Sequence, residues 1–302
     1  MKRLERKVLP IIKRALREDI GSGDVTSQLV VPAGKKIKAV ILAKEAGVVC
    51  GLDLARLVFK TVDKRIVFRA QTSDGKRVRR GKILARLEGE ARSILKAERV
   101  ALNFLGHLSG IATLTNQFVQ RVKPYPVKIL DTRKTAPGLR LLEKYAVRCG
   151  GGFNHRLGLW DQVLVKDNHL SIVRSSPACR SGRELGVRRK KIKEIIEQIR
   201  ENKPKGVKIE VEVKSLKEFE EALETTPDII MLDNFNLKNI KKALRIRDRL
   251  RTPNSQLRTQ LEVSGGVNLS NLRRIAALGV ERISIGALTH SSAALDIALN
   301  CE

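Results

Sequence analysis

The sequence predicts a mixed α/β chain, with an N-terminal α/β sandwich-like domain over residues 1–110 and a parallel α/β barrel, open and of about six strands, over 111–287. Three observations carry this. Residues 127–290 alternate short apolar, β-branched runs with helix-like segments about six times. Each run ends in polar or charged residues, as expected of a parallel barrel whose active site forms at the C-terminal strand edge. Residues 1–110 follow another pattern, in which helical segments enclose several short strands.

In chain order, no run of about 18 apolar residues occurs and MKRLERKVLPIIKRAL is an amphipathic pattern without a small-residue cleavage site, so neither a membrane span nor a signal peptide is expected. IKAVILAKEAGVVCG, RIVFRAQ and KILARLEG are strands, with a turn at Asp74 and Gly75. A long helix over 93–123 leads into the barrel. Pro137 and Gly150 bracket the next helix. Ser215 and Glu218 form a capping box that opens another. The strands VKIL, VLV, IEVEV, DIIML, QLEV and RISI fall between such segments, with LSNLRRIAAL and a helix from Ser291 closing the pattern.

The chemistry gathers at strand ends. Arg133, Lys134, His155, Arg156, Lys166 and His169 all follow short apolar runs, and cations so placed suit a polyanionic small molecule. In IEVEV, alternation puts Glu210 and Glu212 on the face opposite Ile209, Val211 and Val213. Two carboxylates facing a barrel interior require cationic or metal partners. Gly265 and Gly266 before LSNLRRIAAL, and Gly286 before the helix that follows it, offer backbone amides at two helix starts, where phosphate binds. No GxxxxGK[ST] and no GxGxxG follows a strand, which favours a mononucleotide or sugar phosphate over a nucleoside triphosphate or dinucleotide. Asp131, Asp167 and Asn168 are read as caps or turns, and His107 and His290 as packing or capping residues. Cys50, Cys149, Cys179 and Cys301 lack CxxC spacing, which suits a reducing cytoplasm, with Cys149 structural.

Taken together, DTRKTAPGLRLLEKYAVRCGGGFNHRLGLWDQVLVKDNHL, EVEV, LDNF, LEVSGGV, ISIGALTHS, the N-terminal EDIGSGDVTSQLV and the helical ERVALNFLGHLSGIAT resemble the quinolinate phosphoribosyltransferases over nearly the whole chain. The resemblance implies transfer of the phosphoribosyl group of 5-phosphoribosyl-1-pyrophosphate to quinolinate, with loss of carbon dioxide, giving nicotinate mononucleotide and pyrophosphate in NAD biosynthesis. It implies that Arg99, Arg133, His155, Arg156 and Lys166 hold the diacid and that Thr132 also binds substrate, with Lys134 and Lys166 doing the electrostatic work at the reacting centre. Glu212 and Asp233 would take the ribose hydroxyls or Mg2+, itself held mainly by substrate phosphates, and Ser264, Gly265, Gly266 and Gly286 the 5-phosphate. It further implies that a C-terminal helix over about 288–302 joins the first domain. Arg99 would reach a neighbouring subunit's site, so the expected unit is a homodimer or higher homo-oligomer. Nicotinate as substrate and the molybdenum-associated relatives of the family stay open as alternatives. The stretch 172–206 is longer and more basic than this resemblance leads one to expect, and RIRDRLRTPNSQLRTQ is a smaller extension.

The net charge of +28, from 60 Lys and Arg against 32 Asp and Glu, raises a non-enzyme alternative, a basic nucleic-acid-binding protein. Aromatics make up 3% of the chain and RRKKIKEIIEQIRENK has none for base stacking. Lys190 with Glu194 and Lys193 with Glu197 instead suit a solvated helix carrying i,i+4 pairs. Nucleic acid is thus expected to bind only nonspecifically.

Overall fold

A computed structural model describes residues 2–175, 192–250 and 259–302. The chain forms two compact units, one of residues 1–119, 134–154 and 286–302, the other of 120–133 and 155–285. In chain order the elements are α1 (Lys2–Ile20), α2 (Val25–Val30), β1 (Lys36–Ala43), β2 (Gly47–Val48), α3 (Leu52–Val62), β3 (Val67–Ala70), β4 (Arg77–Val78), β5 (Ile83–Glu90) and α4 (Ala91–Arg121). They continue as β6 (Lys128–Leu130), α5 (Arg140–Cys149), β7 (Val163–Val165), α6 (Asp167–Ser175), α7 (Ile192–Asn202), β8 (Ile209–Val213), α8 (Leu216–Glu224) and β9 (Ile229–Asp233). Last come α9 (Leu237–Leu250), β10 (Gln260–Ser264), α10 (Leu272–Ala276), β11 (Arg282–Ser284), α11 (Ala287–His290) and β12 (Ile297–Cys301).

The first unit is built on a four-stranded antiparallel sheet in the order β12-β1-β5-β3 and on the long helix α4, which buries Ala97, Ala101, Leu105, Leu108, Ile111 and Ala112. The C-terminal segment corrects the sequence reading. In place of a helix over about 288–302 there is the four-residue α11, followed by an extended run and the strand β12. The Leu295 amide donates to the Gly106 carbonyl of α4 at 2.9 Å, and β12 then pairs with β1 from Ala43↔Ile297 to Ala39↔Cys301. Alanine and leucine in DIALNC favour a helix locally, but the ladder satisfies an edge of β1 that would otherwise present unpaired backbone groups.

The second unit is a parallel sheet of six strands in the order β6-β11-β10-β9-β8-β7. From β7 to β11 each strand lies beside the next in the chain, and β6 joins the far side of β11, so β6 and β7 are the two edges of an open barrel. Register sets which side chains share a face. Glu212, Met231, Glu262, Arg282 and Lys128 form one row across the sheet, and Asp233, Ser264, Ser284 and Leu130 form the row two residues further toward the C-terminal edge. Ile209, Val211 and Val213 are buried on the opposite face, as are Phe219, Ala222 and Leu223 of α8. Ser215 caps α8 by accepting from the Glu218 amide at 3.2 Å, and the Glu218 carboxylate accepts from the Lys214 amide at 2.9 Å, so the expected box closes one residue early.

Two helix readings are also corrected. LSNLRRIAAL yields only the five residues of α10, because Asn268 Oδ1 accepts from the Ser270 and Asn271 amides at 3.0 and 3.2 Å and so forms a turn where the helix was expected to start. Within the basic stretch, α7 is not a wholly solvated helix: Ile192, Ile195 and Ile196 are buried while Lys193, Glu194 and Glu197 face solvent. Residues 176–191 and 251–258, with the expected Lys190–Glu194 pair and most of the smaller extension, lie outside the described residues.

Candidate active site

In the second unit the site begins with a fully buried acid. Asp131, just beyond β6, accepts from the His155 amide at 2.9 Å and so fixes the segment that carries His155 and Arg156. The Arg156 amide donates to His155 Nδ1 at 2.8 Å, which leaves Nε2 as the ring nitrogen bearing the proton. That nitrogen lies 3.0 Å from Glu210 and 3.4 Å from Glu262, both fully buried. Arg282 donates through Nε to Glu262 at 2.7 Å, and the Gln162 amide donates to Glu210. The interior of the barrel is therefore a charged cluster in which two carboxylates are balanced by a guanidinium and an imidazole.

The energetics follow from that arrangement. Burial disfavours a charge on His155, but hydrogen bonds and charges from Glu210 and Glu262 outweigh it and lift the pKa to about 9. The Arg156 amide opposes them, since protonating Nδ1 breaks its bond. Burial, then the charge of Glu262, pushes Glu210 above the usual carboxylate range. Burial acts on Glu262 in the same direction, and His155 and Arg282 together reverse it, so this carboxyl lies below that range. These donors hold one another, so the trio His155, Glu210 and Glu262 serves as a buried ion cluster and not as an open metal site.

Two further cations of the site differ in exposure. Arg156 is buried, and burial followed by the charge of Arg133 pushes its pKa down, while Glu210, Asp161 and Glu212 pull it up. Repulsion between these two guanidinium groups is relieved when an anion binds near them. Lys166 is exposed, with Nζ 3.5 Å from Glu212. Its backbone amide donates to His169 Nδ1 at 3.0 Å, so His169 fixes the turn after β7. Asp167 pairs instead with Lys214. Glu212 is raised first by burial and then, against Lys166, by Asp233 and Asp167. Hard oxygen donors on neighbouring strands, Glu212 and Asp233, fit Mg2+, which takes one or two protein carboxylates alongside substrate phosphates.

The glycine turn after β10 is held from the next strand. The Asn234 amide donates to the Ser264 carbonyl at 2.9 Å, and a Cβ at Gly265, whose φ is +87°, would stand 2.3 Å from Asn234 Oδ1. A cleft of about 550 Å3 beside the turn is lined in part by Phe235, Lys238, Gly265, Gly266, Asn271 and Arg274.

Of the remaining expected residues, Arg99, Lys134 and Gly286 belong to the first unit. Arg99 is exposed on α4. Gly286 caps α11 at its N-terminus, and a Cβ there would be 3.0 Å from Lys134 Cδ and 3.1 Å from His290 Nε2. Thr289 donates its hydroxyl to the Lys134 carbonyl at 2.6 Å. Lys134 and His290 therefore both lie against Gly286. His107 is 3.0 Å from the fully buried Glu143. Thr132 is half-buried beyond β6 in the second unit.

Sequence reasoning missed Glu262, Arg282 and Asn234. The first was findable, because QLEV places Glu262 between two apolar residues just as IEVEV places Glu210. Arg282 opens its strand and Asn234 follows Asp233, positions that single out no role without the neighbouring strand.

Comparison with known proteins bears on the whole chain. Family models described as the quinolinate phosphoribosyl transferase N-terminal and C-terminal domains match residues 24–109 and 111–300. The chain is 44% identical over 97% of its length, and 96% of the relative's, to a probable nicotinate-nucleotide pyrophosphorylase [carboxylating] of Methanocaldococcus jannaschii. It is 41% identical to the nicotinate-nucleotide pyrophosphorylase [carboxylating] of Mycobacterium leprae, with 96% of this chain and 95% of that one covered. Among solved structures, NadC from Streptococcus pyogenes aligns with a TM-score of 0.86 at 38% identity, covering 98% of this chain and 96% of that one.

Proposed function

The chain belongs to the quinolinate phosphoribosyltransferase family, and we propose that it joins quinolinate to 5-phosphoribosyl-1-pyrophosphate, releasing pyrophosphate and carbon dioxide and forming nicotinate mononucleotide for NAD biosynthesis. The observation that carries this is the set Arg133, His155, Arg156 and Lys166, linked through Glu210 and Glu212 beside the C-terminal edge of a parallel sheet. A diacid needs forked donors for both carboxylates, and the Arg133–Arg156 pair supplies them. Nicotinate carries one carboxylate and would leave part of this charge unmatched, so the diacid is the better fit.

As pyrophosphate leaves C1 of the ribose, negative charge builds on its oxygens, and Lys134 and Lys166 are assigned to that charge. Glu212 and Asp233 hold the ribose hydroxyls or Mg2+, which when bound shields the pyrophosphate. Ser264, Gly265, Gly266 and Gly286 receive the 5-phosphate, and Thr132 is a further substrate-binding residue. Glycosylation leaves the pyridine nitrogen positive, and this positive nitrogen stabilises the carbanion formed when the adjacent carboxylate departs, so no separate electron sink is required. We assign the working unit as a homodimer or higher homo-oligomer in which the exposed Arg99 completes a neighbour's site. Four cysteines without disulfide-framework spacing support a cytoplasmic setting. Among the described residues no helix is long and apolar enough to cross a membrane.

The test is a turnover assay with quinolinate and nicotinate side by side, each with Mg2+ and phosphoribosyl pyrophosphate. Nicotinate mononucleotide is expected from quinolinate alone. Product from nicotinate alone contradicts the reading.

A further inference from the structure

The first unit holds a pair of thiols that the phosphoribosyl chemistry does not use. Cys50, just before α3, is fully buried, and Cys149, the last residue of α5, is partly exposed. Both sulfurs and a carboxylate oxygen of Asp74 lie within 4.8 Å of one another. The two backbones are fixed independently. The Cys50 amide donates to Ser109 Oγ at 2.9 Å, and the same hydroxyl donates back to the Cys50 carbonyl at 3.2 Å. Beyond Cys149, Gly150 approaches α4 so closely that a Cβ there would stand 2.5 Å from the Ala112 carbonyl oxygen.

Asp74 is already committed. It accepts from the Gly51 and Leu52 amides at 2.9 and 3.0 Å and from the Tyr145 hydroxyl at 2.8 Å. A zinc site of the structural kind needs four ligands, and among the described residues only Cys50, Cys149 and the already engaged Asp74 gather here. The geometry therefore favours sulfur–sulfur chemistry over metal binding.

We propose that Cys50 and Cys149 are a redox pair that closes to a reversible disulfide through exchange with low-molecular-weight disulfides, stapling the chain before α3 to the end of α5. The Cys149 thiolate attacks one sulfur of an external disulfide, RSSR. That bond breaks, RS− departs and takes a proton, and Cys149 carries a mixed disulfide. Cys50 then gives up its proton and attacks the Cys149 sulfur, forming the internal bond and releasing the second RSH. In sum, two protein thiols lose two electrons and two protons, and RSSR is reduced to two RSH. Exposure assigns the order, because only Cys149 is open to an incoming disulfide. Its hydrogen bond with Cys50 holds Cys149 below the usual thiol range, while burial pushes Cys50 above it, and attack first at Cys149 agrees with both.

The test starts from the full chain with Cys179→Ser and Cys301→Ser, which keeps Cys50 and Cys149 as its two thiols. Oxidised glutathione is expected to remove both titratable thiols, lower the mass by two hydrogens, give one cross-linked peptide joining positions 50 and 149, and raise Tm. Dithiothreitol should reverse all four. Adding Cys50→Ser should leave one glutathione adduct on Cys149, whereas adding Cys149→Ser should leave native Cys50 unmodified. Peptide mapping of the unsubstituted chain is expected to give the same cross-link, so the result does not depend on the variants folding. Two adducts without a cross-link, or no reaction under glutathione conditions that oxidise a control dithiol, overturns the proposal. So does one zinc ion retained per chain after gel filtration with Zn2+.

Discussion

Arg133 and Lys134 are adjacent, yet the chemistry assigned to them differs, and so should their failures. Arg133 serves a carboxylate present before and during the reaction, so Arg133→Lys, which loses the fork, should mainly raise KM for quinolinate. Lys134 serves charge that appears only as pyrophosphate leaves, so Lys134→Ala should lower kcat by about 100-fold to 1000-fold with little change in KM. Steady-state kinetics on the two variants check this, and the reverse split would exchange the two roles. His155 offers a second test at this scale. Its folded pKa, about 9, lies above the unfolded value of 6.5, so its contribution to stability is complete below about pH 6.5 and is lost as pH rises through 9. An NMR titration of the imidazole nitrogens should show the raised midpoint, and Glu262→Gln should lower it. A midpoint near 6.5 in the unaltered chain would mean that burial and the Arg156 amide together offset both carboxylates. Much of this scale was legible. Alternation alone brought Glu210 and Glu212 inside, and strand-end position picked out Lys166, whereas His155 and Arg156, also read as strand-end residues, lie in the segment between α5 and β7 and are placed by the Asp131 hydrogen bond. What it could not give is pairing: that Glu262 and Arg282 complete the cluster depends on the register between β10 and β11.

At the scale of elements, the turn after β10 separates two kinds of glycine. Gly266 has φ of +62° and open space around its Cα, so Gly266→Ala should carry only the left-handed backbone penalty of roughly 1–2 kcal/mol. Gly265→Ala carries the same strain and also drives a methyl into Asn234, so it should destabilise the fold by more and weaken phosphoribosyl pyrophosphate binding. Urea denaturation of both variants, with substrate KM measured alongside, tests the difference, and equal effects would remove Asn234 from the account. The elements themselves were legible where period and caps agreed, as in β8 and α8. They failed where a tertiary partner decided the outcome. Nothing in DIALNC announces that β1 has an edge to fill, and nothing in LSNLRRIAAL gives the side-chain turn at Asn268 precedence over a helix.

For the whole molecule, the alternation of strands and helices and the long quoted motifs made the barrel and the family readable, whereas the units cut across the chain in a way that linear reading does not reveal. Residues 134–154 follow a barrel strand in sequence but belong to the first compact unit. Assembly belongs to this scale too. If Arg99 completes a neighbour's site, mixing an Arg99→Ala chain with a Lys166→Ala chain should restore activity in heterodimers, because one of the two sites regains both residues; no recovery after verified subunit exchange would keep Arg99 in its own subunit's site. The central claim is that Arg133, His155, Arg156 and Lys166 hold a diacid whose decarboxylation follows glycosylation. Quinolinate labelled in the carboxylate next to the ring nitrogen tests it most directly. The account predicts labelled carbon dioxide in step with nicotinate mononucleotide and none when phosphoribosyl pyrophosphate is withheld. Label released without the phosphoribosyl donor, or mononucleotide that keeps both carboxylates, would contradict it.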